Sequence, residues 1–208
     1  MRSSQPLWVI LCAVGLAACS VKQKDGLLDA PVDGEGLQLT TPQFELAPGE
    51  EVHYCLYAEL PGEIGKSIYV DAFESAMRPG SHHLLLYQDM SDLDESAPPF
   101  VPGFRECEMD RPTLPVFGAQ TERYATSLPA GVARKLRGGQ KIVIESHYVN
   151  YTDKTITGEA KINLYTTSRE SVEHLAGTLF TYLANFEIPP GAGVNGAAEH
   201  TVGMECEL

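Results

Sequence analysis

The chain has 208 residues, 43% of them hydrophobic and 21% charged, with a formal net charge of −13. That balance fits a soluble globular protein and excludes a disordered chain, a collagen or a multispanning membrane protein. The acidic surplus argues against a nucleic-acid partner, because little here would neutralise phosphates. Fourteen Pro and nineteen Gly are many for a helical bundle and point to frequent turns, and nine Tyr and seven Phe lean towards strands.

Residues 1–18 read as a signal peptide. Arg2 supplies a positive start, and Pro6 to Ala18 is an apolar stretch too short for a stable membrane span. The segment ends in Leu16-Ala17-Ala18-Cys19, which resembles the lipobox of bacterial lipoproteins. The resemblance implies lipidation of Cys19, which becomes the mature N-terminus and anchors the chain to a membrane. Ser20 in the following position implies, again by resemblance, sorting to the outer membrane of the cell envelope. Losing residues 1–18 removes one Arg and no acid, so 14 basic residues face 28 acidic ones and the mature charge is −14. Three cysteines then remain besides Cys19: Cys55, Cys107 and Cys206. An exported protein is expected to pair two of them, and one is left over.

After the anchor, residues 19–36 are polar and lack periodicity, which predicts a flexible tether. From Leu37 the pattern alternates. Leu37 to Thr40, Gln43 to Leu46, Glu51 to Glu59 and Ser67 to Phe73 are predicted strands, punctuated by Pro48-Gly49 and Pro61-Gly62. Pro79-Gly80 is a turn before the apolar strand His83 to Tyr87. Residues 89–115 are acidic and proline-rich and read as a long irregular loop, a kind of segment that needs a tie or a function. A Cys55–Cys107 disulfide would pin it to a core strand. Arg134-Lys135-Leu136-Arg137 reads as an exposed basic turn. Further strands are expected at Lys141 to Tyr151, Gly158 to Tyr165 and Leu175 to Phe186. Strands at this spacing with Pro-Gly punctuation predict an all-β, antiparallel sandwich.

Six histidines carry the chemistry: His53, His82, His83, His147, His174 and His200. His82 and His83 follow the turn and open an apolar strand. His147 shares a strand face with Val143, Glu145 and Val149. Adjacent residues on a regular strand point to opposite faces, so both imidazoles reach one ion only if the backbone turns, which Gly80-Ser81 permits. A third imidazole from a facing strand would complete a site suited to copper, zinc, nickel or iron, with copper leading on affinity. On spacing alone, two turn histidines and a hydrogen-bonded strand histidine are the reading to set against it, and the heavier of the two. His53 reads as a sheet residue, His174 as solvated and His200 as a loop histidine.

Pro79-Gly80-Ser81-His82-His83-Leu84-Leu85-Leu86-Tyr87 and Glu145-Ser146-His147-Tyr148 resemble the copper type II ascorbate-dependent monooxygenases, whose best-known members are peptidylglycine alpha-hydroxylating and dopamine beta-monooxygenase. The resemblance spans about residues 40–208. It implies a jelly-roll sandwich over 37–168, an incomplete second β-domain over 169–208, and a copper held by His82, His83 and His147 that stores an electron from ascorbate or another reductant. Tyr54-Cys55-Leu56, the stretch from Leu175 to Gly191 and Cys206 also fit the family's pattern. The family activates oxygen at a second copper on a His-x-His motif and a later Met. No His-x-His occurs in these 208 residues, so no catalytic residue is assigned, and that half is expected outside this sequence or on another chain. Two other readings stay open: a non-enzymatic lipoprotein that binds copper or relays electrons, and a metal-free structural sandwich.

Overall fold

The computed structural model describes residues 26–108 and 110–179. Thirteen strands succeed one another there: β1 (Gly36–Thr40), β2 (Phe44–Leu46), β3 (Glu51–Glu59), β4 (Ser67–Met77), β5 (Ser81–Asp89), β6 (Gly103–Glu106), β7 (Thr113–Ala119), β8 (Arg123–Ser127), β9 (Val132–Arg137), β10 (Lys141–Val149), β11 (Ile156–Gly158), β12 (Ala160–Thr167) and β13 (His174–Leu175). Two short 3-10 turns, Ser91–Leu93 and Arg169–Ser171, are the helical elements among the described residues. No helix there is long and apolar enough to cross a membrane. Cys19, Cys206, His200 and the expected strand beyond Leu179 lie outside the described residues.

One large sheet has the order β1-β12-β4-β9-β13, with β8 also paired to β4; the other has the order β6-β3-β10-β5-β7, and β11 and β2 pair as a separate two-stranded sheet. All of the strand pairs except β13 with β9 are antiparallel. The expected all-β sandwich is therefore what forms. Its core is filled from both sheets, by Val70, Phe73, Ile162 and Leu164 from one and Leu84, Leu86, Ile142, Ile144 and Tyr148 from the other. Phe73 and Phe117 stack across the interface at 5.1 Å between ring centroids. Tyr148 is fully buried, and its hydroxyl donates to the carbonyl of Glu159 at 2.6 Å. Burial pushes that phenol up to about 12.

Where the strands depart from expectation, local chemistry explains it. β4 runs on past Phe73 to Met77 because a bulge shifts its register. Tyr165 pairs with Ala72 and Thr166 with Val70, so Asp71 is an extra residue and the inward set changes from Val70 to Phe73, Ser75 and Met77. The segment 89–115 is not wholly irregular: it contains β6 and the start of β7. The basic cluster 134–137 is not an exposed turn but part of β9, with Ala133 and Leu136 buried while Lys135 and Arg137 face solvent. The end of the expected tether is docked. Leu27 and Leu28 bury against Ala76, and Asn163 Nδ2 donates to the carbonyl of Asp29 at 2.8 Å.

The outer face of the second sheet is the one that matters below. Alternation sends Ile142, Ile144 and Tyr148 of β10 to the core and Val143, Glu145 and His147 to the opposite side. There Cys55, Tyr57 and Val143 form a second small core, against which Tyr87, Phe100 and Cys107 pack. The segment 90–112 covers it. Cys55 and Cys107 are joined, with their Cα atoms 4.9 Å apart. Arg111 locks the same segment from inside. Its guanidinium is 1% exposed, pairs with Asp89 at 3.0 Å and Glu108 at 2.7 Å, and donates to the carbonyls of Pro98 and Pro99 at 3.2 and 3.0 Å. Burial works against its charge, but the two carboxylates outweigh that and raise its pKa.

Two stability measurements follow from this cover. Replacing Cys55 and Cys107 together by Ala reopens a link spanning 52 residues. It is expected to cost about 4 kcal/mol in urea unfolding on the loop-entropy account; an unchanged midpoint would refute the pinning role. Arg111→Ala strands the fully buried Asp89 carboxylate and should cost about 3–5 kcal/mol, whereas a loss under about 1 kcal/mol, the range of an exposed pair, would mean that the network is dispensable.

Candidate metal centre

β10 lies between β3 and β5, and register decides what its outer face meets. His147 pairs with His53 on β3 and with His83 on β5. Directly paired residues of neighbouring strands share a face, so three imidazoles form a row across three strands. One nitrogen from each of His53, His83 and His147 can be chosen so that all lie within 4.8 Å of one another. The His53 and His147 rings stack at 3.7 Å between centroids with 19° between their planes.

His82 joins by a bulge. His147 pairs with His83 but Tyr148 pairs with Ser81, so His82 is the extra residue on β5. Two residues then oppose one, and the strict alternation of faces is broken. The His82 ring comes within 4.7 Å of His147 and 5.3 Å of His83 between centroids, and the two Nδ1 atoms of the adjacent pair are 3.0 Å apart. Gly80 starts the deviation. Its φ is +95°, where side chains are strained, and a Cβ there would also collide with Ile156 Cδ1. The turn expected at Gly80-Ser81 is thus real, but the residue displaced is His82.

Two carboxylates hold the rings. Glu145 Oε1 lies 3.1 Å from His53 Nδ1 and 3.2 Å from His83 Nε2, and Oε2 accepts from the Tyr87 hydroxyl at 3.1 Å. Glu51 Oε1 lies 2.8 Å from His147 Nε2. A carboxylate accepts, so each contacted nitrogen carries a proton and the other nitrogen of a neutral ring keeps its lone pair. Burial favours the neutral acid of Glu145, but the bonds from His53, His83 and Tyr87 overcome it and hold the carboxyl below its ordinary range. Burial, then the negative charge of Glu145 and its hydrogen bond, push the Tyr87 phenol up. His147 is lowered, first by burial and then by the neighbouring imidazoles, against the pull of Glu51.

These residues fit a metal ion. His147 Nδ1 is buried and has no hydrogen-bond partner, although buried polar atoms are nearly always paired. It is the lone-pair nitrogen left by the Glu51 contact. An all-imidazole donor set with carboxylates behind it is the arrangement that suits first-row transition metals. Of the three histidines singled out from sequence, His83 and His147 are brought side by side on paired strands. His82 is at the edge of the group and exposed, while His53, read from sequence as an ordinary sheet residue, lies inside it. The spacing of His53 from Cys55, two residues away on the same strand, puts it on the outer face, but only the long-range pairing with His147 brings it into the group. His174 is exposed on β13, away from this sheet.

No protein-family model and no curated protein matches the chain. Among solved structures it is similar to the "Crystal structure of decameric BFDV Capsid Protein", at 15% identity and a TM-score of 0.28, covering 63% of this chain and 96% of that one. A likeness so distant bears on neither fold nor function.

The tautomer is directly measurable. In metal-free protein, nitrogen-15 NMR should show His147 protonated at Nε2 and bare at Nδ1. It should be more than half neutral at pH 6.5, where an ordinary imidazole is about half protonated. A proton on Nδ1, or a ring more than half charged at that pH, would contradict the assignment.

Proposed function

We propose that this chain holds one copper ion through its histidine cluster and acts as an electron-transfer copper domain, resembling the first half of the copper type II ascorbate-dependent monooxygenases. The supporting observation is the convergence of His83 and His147 on neighbouring strands, with His82 brought alongside by the bulge. Copper bound by neutral imidazoles with a coordination position left open can cycle between Cu(I) and Cu(II). The chain's own residues supply the rest. Glu51 and Glu145 orient the rings, and the tied segment 90–112 fixes the sheet face beside them. The exposed edge at His82 leaves a small reductant such as ascorbate a way in.

The copper domain sits, in this proposal, on a lipoprotein anchored at Cys19 in the bacterial outer membrane. Substrate hydroxylation is left to residues outside these 208, since no His-x-His is present to build the oxygen-activating site. A second reading is that the protein stores or relays copper or electrons without oxidising a substrate, through the same histidine group.

Metal analysis after dialysis against copper should find about one ion per mature chain. His147→Ala should lower affinity at least tenfold by removing a ligand, with the circular dichroism of the sandwich retained. A folded wild-type chain that retains no copper would refute the proposal.

A further inference from the structure

Glu145 touches more of the site than any ligand needs. It lies on β10 between Val143 and His147, 12% exposed, and its two oxygens take contacts from three side chains on the two flanking strands: His53 on β3, His83 on β5 and, further along β5, Tyr87. Two of its partners belong to the cluster. The third is a phenol that burial and this same carboxylate keep protonated, so Tyr87 acts as a donor only. The only positive charges within the hydrogen-bonding set would be the imidazoles themselves or an ion they hold. The remaining polar contact to the cluster, Glu51, reaches His147 from a side chain that is 58% exposed, where solvent screens its charge.

We infer that Glu145 is a positioning residue that biases the site towards the oxidised metal, and that Tyr87 sets how strongly it does so. The inference rests on the copper reading above. A carboxylate behind a ligating imidazole makes that ring more basic and a better donor to the more highly charged ion. Here one buried carboxylate stands behind two rings at once, in a site of low effective dielectric where a full charge is weakly screened. Cu(II) is therefore stabilised more than Cu(I), and the potential is held down. The Tyr87 hydroxyl works in the opposite direction. By donating to Oε2 it draws charge density from the carboxylate and weakens the bias. The two residues thus form an opposed pair, one lowering the potential and the other moderating it.

The pair gives the test its sign. Voltammetry of copper-loaded protein is run on the wild type, Glu145→Gln and Tyr87→Phe, with copper affinity measured for each oxidation state. Glu145→Gln keeps the shape and removes the charge. It should reduce the preference for Cu(II) over Cu(I) at least tenfold, an upward shift of about 59 mV or more for one electron. Tyr87→Phe should move the potential downwards by less than that. General loosening of the site would not send the two variants in opposite directions. Unchanged potentials, or both moving the same way, overturn the inference. If Glu145→Gln loses copper altogether, the downward shift in Tyr87→Phe decides alone. A wild-type chain that binds no copper removes the copper reading and this inference with it, whereas copper binding with unmoved potentials removes this inference only.

Discussion

The register of β10 between β3 and β5 is the constraint from which the site follows. Side chains on a strand alternate, so a slip of one residue would send His147 and Glu145 into the sandwich core and bring Ser146 and Tyr148 out. Ile142, Ile144 and Tyr148 forbid that slip, because all three are buried between the sheets and the Tyr148 hydroxyl is bonded to the backbone of β12's approach at Glu159. The core thereby aligns the histidines without touching them. His53, His147 and His83 occupy one row for the same reason that Leu56, Ile144 and Leu86 occupy another three positions away on the core side.

A regular sheet would still have kept His82 out. The register shift after His147 and the left-handed Gly80 bring a fourth imidazole to the row. The far end of β5 is tied by Asp89 to Arg111, while the disulfide ties the covering segment to β3 at Cys55. The outer face is thus divided. One part is a small apolar core under 90–112, and the other is a polar patch of four histidines and two carboxylates. Glu145 stands at the boundary, with an apolar neighbour in Val143 on one side and His147 on the other.

Much of this was legible in the sequence, for reasons that can be named. Period-two alternation and Pro-Gly breaks mark β3, β5 and β10, and the pattern around His82, His83 and His147 carries the resemblance to a copper site. β8 gave no signal because all five of its residues are exposed and nothing alternates. β9 was hidden by its charges, since Arg134, Lys135 and Arg137 outnumber the two buried residues that define it. β4 seemed to stop at Phe73 because the bulge at Asp71 breaks its phase. His53 could not be assigned from local sequence, because its place depends on pairing with a strand about ninety residues away; the separation from Glu145, which it bonds, is 92. Long-range register of that kind is written in the core pattern of both strands together and not in the neighbourhood of the histidine.

The central claim is that a transition metal sits on the outer face of β10, held by imidazoles. Anomalous diffraction at the copper edge from crystals of the copper-loaded protein tests it most directly. The account predicts one strong peak bounded by His83 and His147, with His53 or His82 completing the imidazole set. A peak elsewhere on the chain, or a site whose ligands are the carboxylates with the imidazoles turned away, would contradict it.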